Sequence, residues 1–241
     1  IIKLEQFKFT TIFKNSNIIN MLKTIDLNYN KSIIKIGKEL VSLNKNLPIT
    51  PSSSIFIRID EDESYIIQFI ITGPENTPYS NGCFLFSMVV PPSYPNKPPK
   101  CLLETTGYNK VRFNANLYNS GKVCLSLLGT WHGRESEMWN PKLSTLLQLL
   151  VSIQSLIFVE QPYYNEPGWE IEIGTVGGDK KNKIYNYEIR LNTMKWGILE
   201  QLKNPNKNFE KIIRKHFSLK KDIILEECLK WVNDFDKEIF F

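Results

Sequence analysis

The chain has 241 residues, long enough for one domain of about 150 residues with substantial extensions. Its 42% hydrophobic and 23% charged residues are the mix of an ordinary soluble globular protein, and no apolar run reaches the roughly 18 residues that a membrane span needs. A net charge of +5, from 30 basic and 25 acidic residues, is too small to argue for nucleic acid as a partner.

Residues 1–30, rich in Asn, Lys and Ile, form an N-terminal extension in which no element is predicted. The start at Ile1-Ile2, without Met and without a secretory signal, suggests a piece of a longer polypeptide. From Lys31 to Asn44, apolar residues at Ile33, Ile34, Leu40 and Val41 follow a helical period, which Pro48 and the Pro51–Ser54 cluster end. Two β-rich runs follow, Ser54 to Asp60 and Tyr65 to Thr72, separated by the acidic turn Glu61-Asp62-Glu63. Breaks at Gly73-Pro74 and Pro78-Tyr79 precede a third strand, Cys83 to Val90, and a proline-dense loop leads to a fourth, Cys101 to Thr105. The pattern predicts an α+β fold: a four-stranded antiparallel meander flanked by an N-terminal helix and a central helix. That central helix spans Lys142 to Phe158, with Ser144 as its N-cap. After a loose stretch from Gly174 to Asn182, additional C-terminal helices are predicted at Tyr185–Leu202, Asn208–Phe217 and Lys221–Phe235. In the last, Ile224, Cys228, Trp231 and Phe235 have core spacing. The basic residues between Lys203 and Lys221 read as a solvated helix face.

Four cysteines, Cys83, Cys101, Cys124 and Cys228, are too scattered for a disulfide framework, so a reducing compartment, cytoplasmic or nuclear, is expected. They form no CxxC pair and there are only two histidines, so neither a metal nor another cofactor is expected. A single cysteine in such a chain is by default a small buried hydrophobe. Cys124, however, follows Asn114, Asn116, Asn119 and Gly121, residues that make an exposed turn. His132 is the one nearby histidine and has no evident carboxylate partner, so a protease triad is not indicated. Without a general base, a thiol of reference pKa about 8.5 still carries a few per cent thiolate near neutrality, which suits acyl exchange with an activated thioester.

Several motifs, in order, resemble the ubiquitin-conjugating (E2) family. Gly73-Pro-Glu-Asn-Thr-Pro-Tyr79 with Gly82 resembles its GP-x-x-(S/T)-PY-x-x-G segment, and Tyr94-Pro95-Asn96-Lys97-Pro98-Pro99 its Tyr-Pro-x-x-Pro-Pro loop. Asn116, eight residues before Cys124, stands at the Asn of the family's His-Pro-Asn, and Trp139 at the Trp beyond the cysteine, after an extended loop from Trp131 to Met138. Asn114-Ala-Asn-Leu-Tyr118, Thr130-Trp-His-Gly-Arg134 and Pro162-Tyr-Tyr-Asn-Glu-Pro-Gly168 are similar to the large hybrids that join E2 and E3 activity, the giant BIR-repeat inhibitor-of-apoptosis type among them.

The resemblance implies a catalytic core at residues 31–186 and a C-terminal helical extension at 187–241. It implies that Cys124 carries ubiquitin as a thioester received from an E1 and passes it to substrate lysines. Asn116 would donate to the tetrahedral oxyanion or order the loop beside it, a donor whose loss typically costs about 10²–10³ in rate. Glu166, at the family's acidic gate position, would orient the lysine and accept its proton; that proton's reference pKa of about 10.4 leaves roughly 4.6 kcal/mol to overcome at pH 7. Departures are Asn114 for His, Ala115 for Pro and Ser126 for Asp. Asn96 and Lys142 replace an aromatic and a small residue in the two docking loops, which makes binding of separate RING or HECT ligases doubtful. A non-catalytic ubiquitin-binding variant of the fold, or an E2 for another ubiquitin-like modifier, are the alternatives. No nucleic acid or membrane is expected as a partner.

Overall fold

In the computed structural model, residues 5–25 and 32–239 are described, with side chains to residue 235. Among them a five-stranded sheet runs in the order β1 (Phe7–Thr10), β2 (Ile55–Asp60), β3 (Ile66–Thr72), β4 (Cys83–Val89) and β5 (Lys100–Leu103). Strands β2 to β5 form the expected antiparallel meander. The fifth strand, β1, comes from the N-terminal extension and pairs parallel to β2, with Phe7 opposite Ile57. Four residues give too short an alternation to read as a strand, and the partner lies 50 positions away; side chains secure it instead. Gln6 Nε2 donates to the carbonyls of Leu47, Pro48 and Ile55 at 2.9–3.1 Å. Arg58 Nη1 donates to the Glu5 carbonyl at 2.8 Å.

Strands β2 and β3 are buried at every position, because both faces of the sheet are covered and polar alternation has no role. One face carries the aligned row Ile57, Phe69, Phe86 and Leu103, with the Phe69 and Phe86 rings stacked at 4.8 Å. It packs under α2 (Ile33–Asn46) and α3 (Leu146–Leu156), whose Ile36, Leu40, Leu43, Leu149, Leu150 and Ile153 complete the main core. Buried Glu39 joins these helices: its Oε2 accepts from Leu146 N at 2.7 Å, at the positive end of α3. On the other face, Phe56, Ile70 and Cys83 meet Phe209, Ile212, Ile213 and Phe217 near the start of the last helix. The buried Arg58 guanidinium lies over the Phe209 ring and donates to the Asn208 carbonyl at 2.8 Å. Near β5, helix α1 (Ser16–Leu22), capped by Asn15, packs Ile18 and Met21 on Ile66 and Val89.

Three helix expectations differ from the structure. The N-cap of α3 is Thr145, whose hydroxyl accepts from Gln148 N; Ser144 instead accepts from Asn140 N and closes the preceding turn. Helix α4 (Val176–Asn192) starts before Tyr185, because the Thr175 hydroxyl caps Gly178 N and holds a Gly-Gly pair in the first turn. It passes through a π-helical stretch, Thr193–Leu199, into the short α5 (Glu200–Lys203). The two terminal segments are one helix, α6 (Glu210–Ile239), since Ser218-Leu219-Lys220 holds no helix breaker. Among the described residues no helix is long and apolar enough to cross a membrane, and no His, Cys, Asp and Glu cluster could hold a metal.

Candidate active site

The loop between β3 and β4 builds the first part of the site. Gly73 N donates to the Gly82 carbonyl and Asn81 N to that of Gly73, closing the loop onto itself. A Cβ on Gly73 would sit 1.8 Å from the Tyr79 carbonyl oxygen, so this approach requires glycine. The closure aims the buried Tyr79 ring inward, where its hydroxyl donates to the Phe113 carbonyl at 2.7 Å, one residue before Asn114.

Asn114 is fully buried and serves as the hub of the loop. Its Nδ2 donates to Tyr79 Oη at 3.1 Å and to the Ile157 carbonyl at 2.9 Å. Its Oδ1 accepts from Asn116 N at 2.9 Å and from Asn165 Nδ2 at 3.3 Å. Both ends of the carboxamide are therefore in use, as suits a buried polar group. A side chain with a donor and an acceptor thus holds the position where the resemblance leads one to expect His.

The chain then turns at Gly121, whose φ of 86° suits glycine, and comes back beside 114–118. Cys124 N donates to the Asn116 carbonyl at 2.9 Å, and Asn116 Nδ2 donates to the Cys124 carbonyl at 2.8 Å. Cysteine and carboxamide are brought together, as expected. The exposed turn expected around Cys124 is not found: the residue is 1% exposed. Asn and Gly mark the turn at 119–121, but Cys124 lies beyond it, in a segment pinned by those two bonds. One N–H of Asn116 is engaged with the backbone, and the carboxamide has a second to offer.

Glu166 reaches the same place from the loop after α3. Its Oε1 lies 2.9 Å from Arg112 Nη2, which also donates to the Ala115 carbonyl at 3.0 Å, while the guanidinium covers the Tyr118 ring. The carboxylate is thus paired with a cation, a partner that sequence reasoning missed. Asn165 was missed as well; its Nδ2 reaches Asn114, Asn116 and the Leu156 carbonyl. Neither residue carries a local signal, since Arg112 meets Glu166 across 54 positions and Asn165 meets Asn114 and Asn116 across 51 and 49.

Electrostatics separate the four thiols. Burial raises the pKa of all four. Cys83 is pushed up to about 12 with nothing opposing. Glu104 and Glu227 add to the rise at Cys101 and Cys228. At Cys124 alone two cations, Lys122 and Arg112, act against it.

Ser126 Oγ donates to the His132 carbonyl at 3.2 Å and tethers the long loop after the cysteine. Trp139 Nε1 donates to the Pro95 carbonyl at 2.6 Å and its ring lies 5.7 Å from Tyr94, fixing the proline loop. Asn96 and Lys142 are exposed on the two flanking turns.

The family model described as "Ubiquitin-conjugating enzyme" matches residues 35–193. The chain is 51% identical over 200 residues to the dual E2 ubiquitin-conjugating enzyme/E3 ubiquitin-protein ligase BIRC6 of Homo sapiens, covering 83% of this chain and 4% of that protein. It is 46% identical over 231 residues to a "Probable ubiquitin-conjugating enzyme E2" of Acanthamoeba polyphaga mimivirus, 96% of this chain and 16% of the relative. It is 50% identical over 200 residues to "Probable ubiquitin-conjugating enzyme protein 17" of Caenorhabditis elegans, 83% and 27% respectively. The chain thus spans less than a third of the length of each of these relatives.

Proposed function

The chain belongs to the ubiquitin-conjugating enzyme family, and on that premise we propose that Cys124 receives ubiquitin from an E1 as a thioester and passes it to a substrate lysine. The observation that carries this assignment is electrostatic. Of the four thiols, only Cys124 has cations set against the cost of burying its thiolate. In loading, that thiolate attacks the carbonyl of the incoming thioester and the donor's thiolate leaves. In transfer, the lysine amine attacks the same carbonyl, a C–N bond replaces the C–S bond, and Cys124 departs as thiolate. On this reading the second N–H of Asn116 donates to the intermediate oxyanion, while its first keeps the Cys124 carbonyl fixed. Glu166 takes the amine proton once it is released from Arg112. Cys124 is 1% exposed, so loading requires the residue to become accessible to the donor.

Partners on this reading are ubiquitin, an E1 and proteins bearing lysines. Exposed Asn96 and Lys142 on the docking turns argue for weak reliance on separate RING or HECT ligases. Four free cysteines support a reducing compartment, cytoplasmic or nuclear. The test is incubation with E1, ATP and tagged ubiquitin. The expected product is a thiol-sensitive adduct that Cys124→Ala abolishes and Cys124→Ser converts to a hydroxylamine-cleavable oxyester. An adduct that survives in Cys124→Ala would move the site to another cysteine. No adduct with ubiquitin or any related modifier would leave a binding module.

A further inference from the structure

The N-terminal extension does more than complete the sheet. Met21 and Ile25, at and just after the end of α1, form one wall of an open groove of about 960 Å³. The proline loop and Leu102 of β5 form its floor and opposite wall, and Val123, the residue before Cys124, lines it too. Val123 directly precedes Cys124, so the groove ends one residue from the proposed nucleophile.

Its charge is one-sided. Lys97, Lys100 and Lys122 line it, and among the described residues no lining residue is acidic. Among the described residues no carboxylate pairs with any of these three lysines: Lys100 Nζ donates to the Thr24 hydroxyl across the groove, and Lys122 lies near the Tyr118 ring. Three lysines set around apolar walls, with no carboxylate against them among the described residues, match a ligand that carries carboxylates interleaved with apolar side chains. Among the described residues the lining holds no aromatic ring on which a nucleic-acid base could stack, which favours a peptide over a single strand.

We propose that this groove is a substrate-docking site, which binds an acidic-apolar segment of the target protein and so presents a nearby lysine to Cys124. The idea rests on the thioester reading above for its purpose, though not for the binding itself. Docking the acids in the groove also keeps them off the acceptor amine, whose pKa a close carboxylate would raise.

Two measurements test it on the whole chain. Direct binding is read by fluorescence anisotropy with a labelled peptide that interleaves leucine and aspartate and ends in lysine, with no ubiquitin present. Saturable binding that weakens as salt rises is expected, with about tenfold loss in Lys97→Glu/Lys100→Glu, whose melting temperature serves as the folding control. Separately, enzyme already loaded with ubiquitin is discharged to the peptide or to free lysine. Lys100→Glu should raise KM for the peptide and leave discharge to free lysine unchanged. The proposal is overturned by equal binding of peptides with asparagine for aspartate, by equal affinity of the folded double variant, or by an oligonucleotide that binds in the peptide's place. Failure to load with ubiquitin would count against the thioester assignment and leave the anisotropy result standing.

Discussion

Replacing Asn114 by Ala removes four hydrogen bonds from a fully buried residue. They do not cost the same. Ile157 O also accepts from Val159 N, and the Tyr79 hydroxyl keeps its bond to Phe113, so losing the Asn114 Nδ2 bonds forfeits about 1 kcal/mol each. Asn116 N has Asn114 Oδ1 as its partner and is left unsatisfied at a nearly buried position, which adds about 1–3 kcal/mol. Asn165 Nδ2 retains Asn116 and Leu156 and contributes little. The expected loss is about 3–5 kcal/mol, a large fraction of the roughly 5–15 kcal/mol that a domain has. Urea unfolding followed by fluorescence measures it, and the slope should stay unchanged if the native fold is otherwise kept. Because Asn116 holds Cys124 through its own carbonyl and its carboxamide, discharge of ubiquitin from the loaded variant should fall as well. A loss below about 1 kcal/mol with normal discharge would show that Asn114 is not the hub described here.

Arg112→Gln removes one of the two cations that oppose the raised pKa of Cys124. The thiol pKa should therefore rise further, and alkylation by iodoacetamide below that pKa should slow about two- to tenfold, since Arg112 is partly exposed and acts weakly. An unchanged pH profile would remove Arg112 from the site's electrostatics. Glu166→Ala should slow discharge to free lysine while loading is unaffected; equal discharge rates would exclude Glu166 from the proton transfer. His216 makes folding acid-sensitive. Burial lowers its pKa to about 4, the bond to the Asn81 carbonyl opposes that, and Lys220 adds to it. The unfolded chain then binds the extra proton from about pH 6.5 downward while the folded one does so only near pH 4, so stability falls as pH drops through that window. Between pH 7 and pH 5 the loss attributable to His216 is about 2 kcal/mol, and His216→Gln should abolish it in urea titrations at the two values.

The four meander strands, α2 and α3 were legible because each is a contiguous run whose period or punctuation is local. The Gly-Pro and Tyr-Pro segments were legible for the same reason, while the close approach of Asn116 to Cys124 was expected from the family resemblance that those motifs carry. Strand β1 escaped notice because its partner lies some 50 positions away and its support comes from Gln6 and Arg58. Helix α4 was misjudged at its start because one threonine hydroxyl outweighed two glycines. The covering of Cys124, the pairing of Glu166 with Arg112, the convergence of Asn114, Asn165 and Tyr79, and the lysine-lined groove all arise where distant segments meet. Residue order specifies which chemistry is present, because motifs are local. How far that chemistry is shielded, paired or charged depends on neighbours that folding alone brings within a few ångströms.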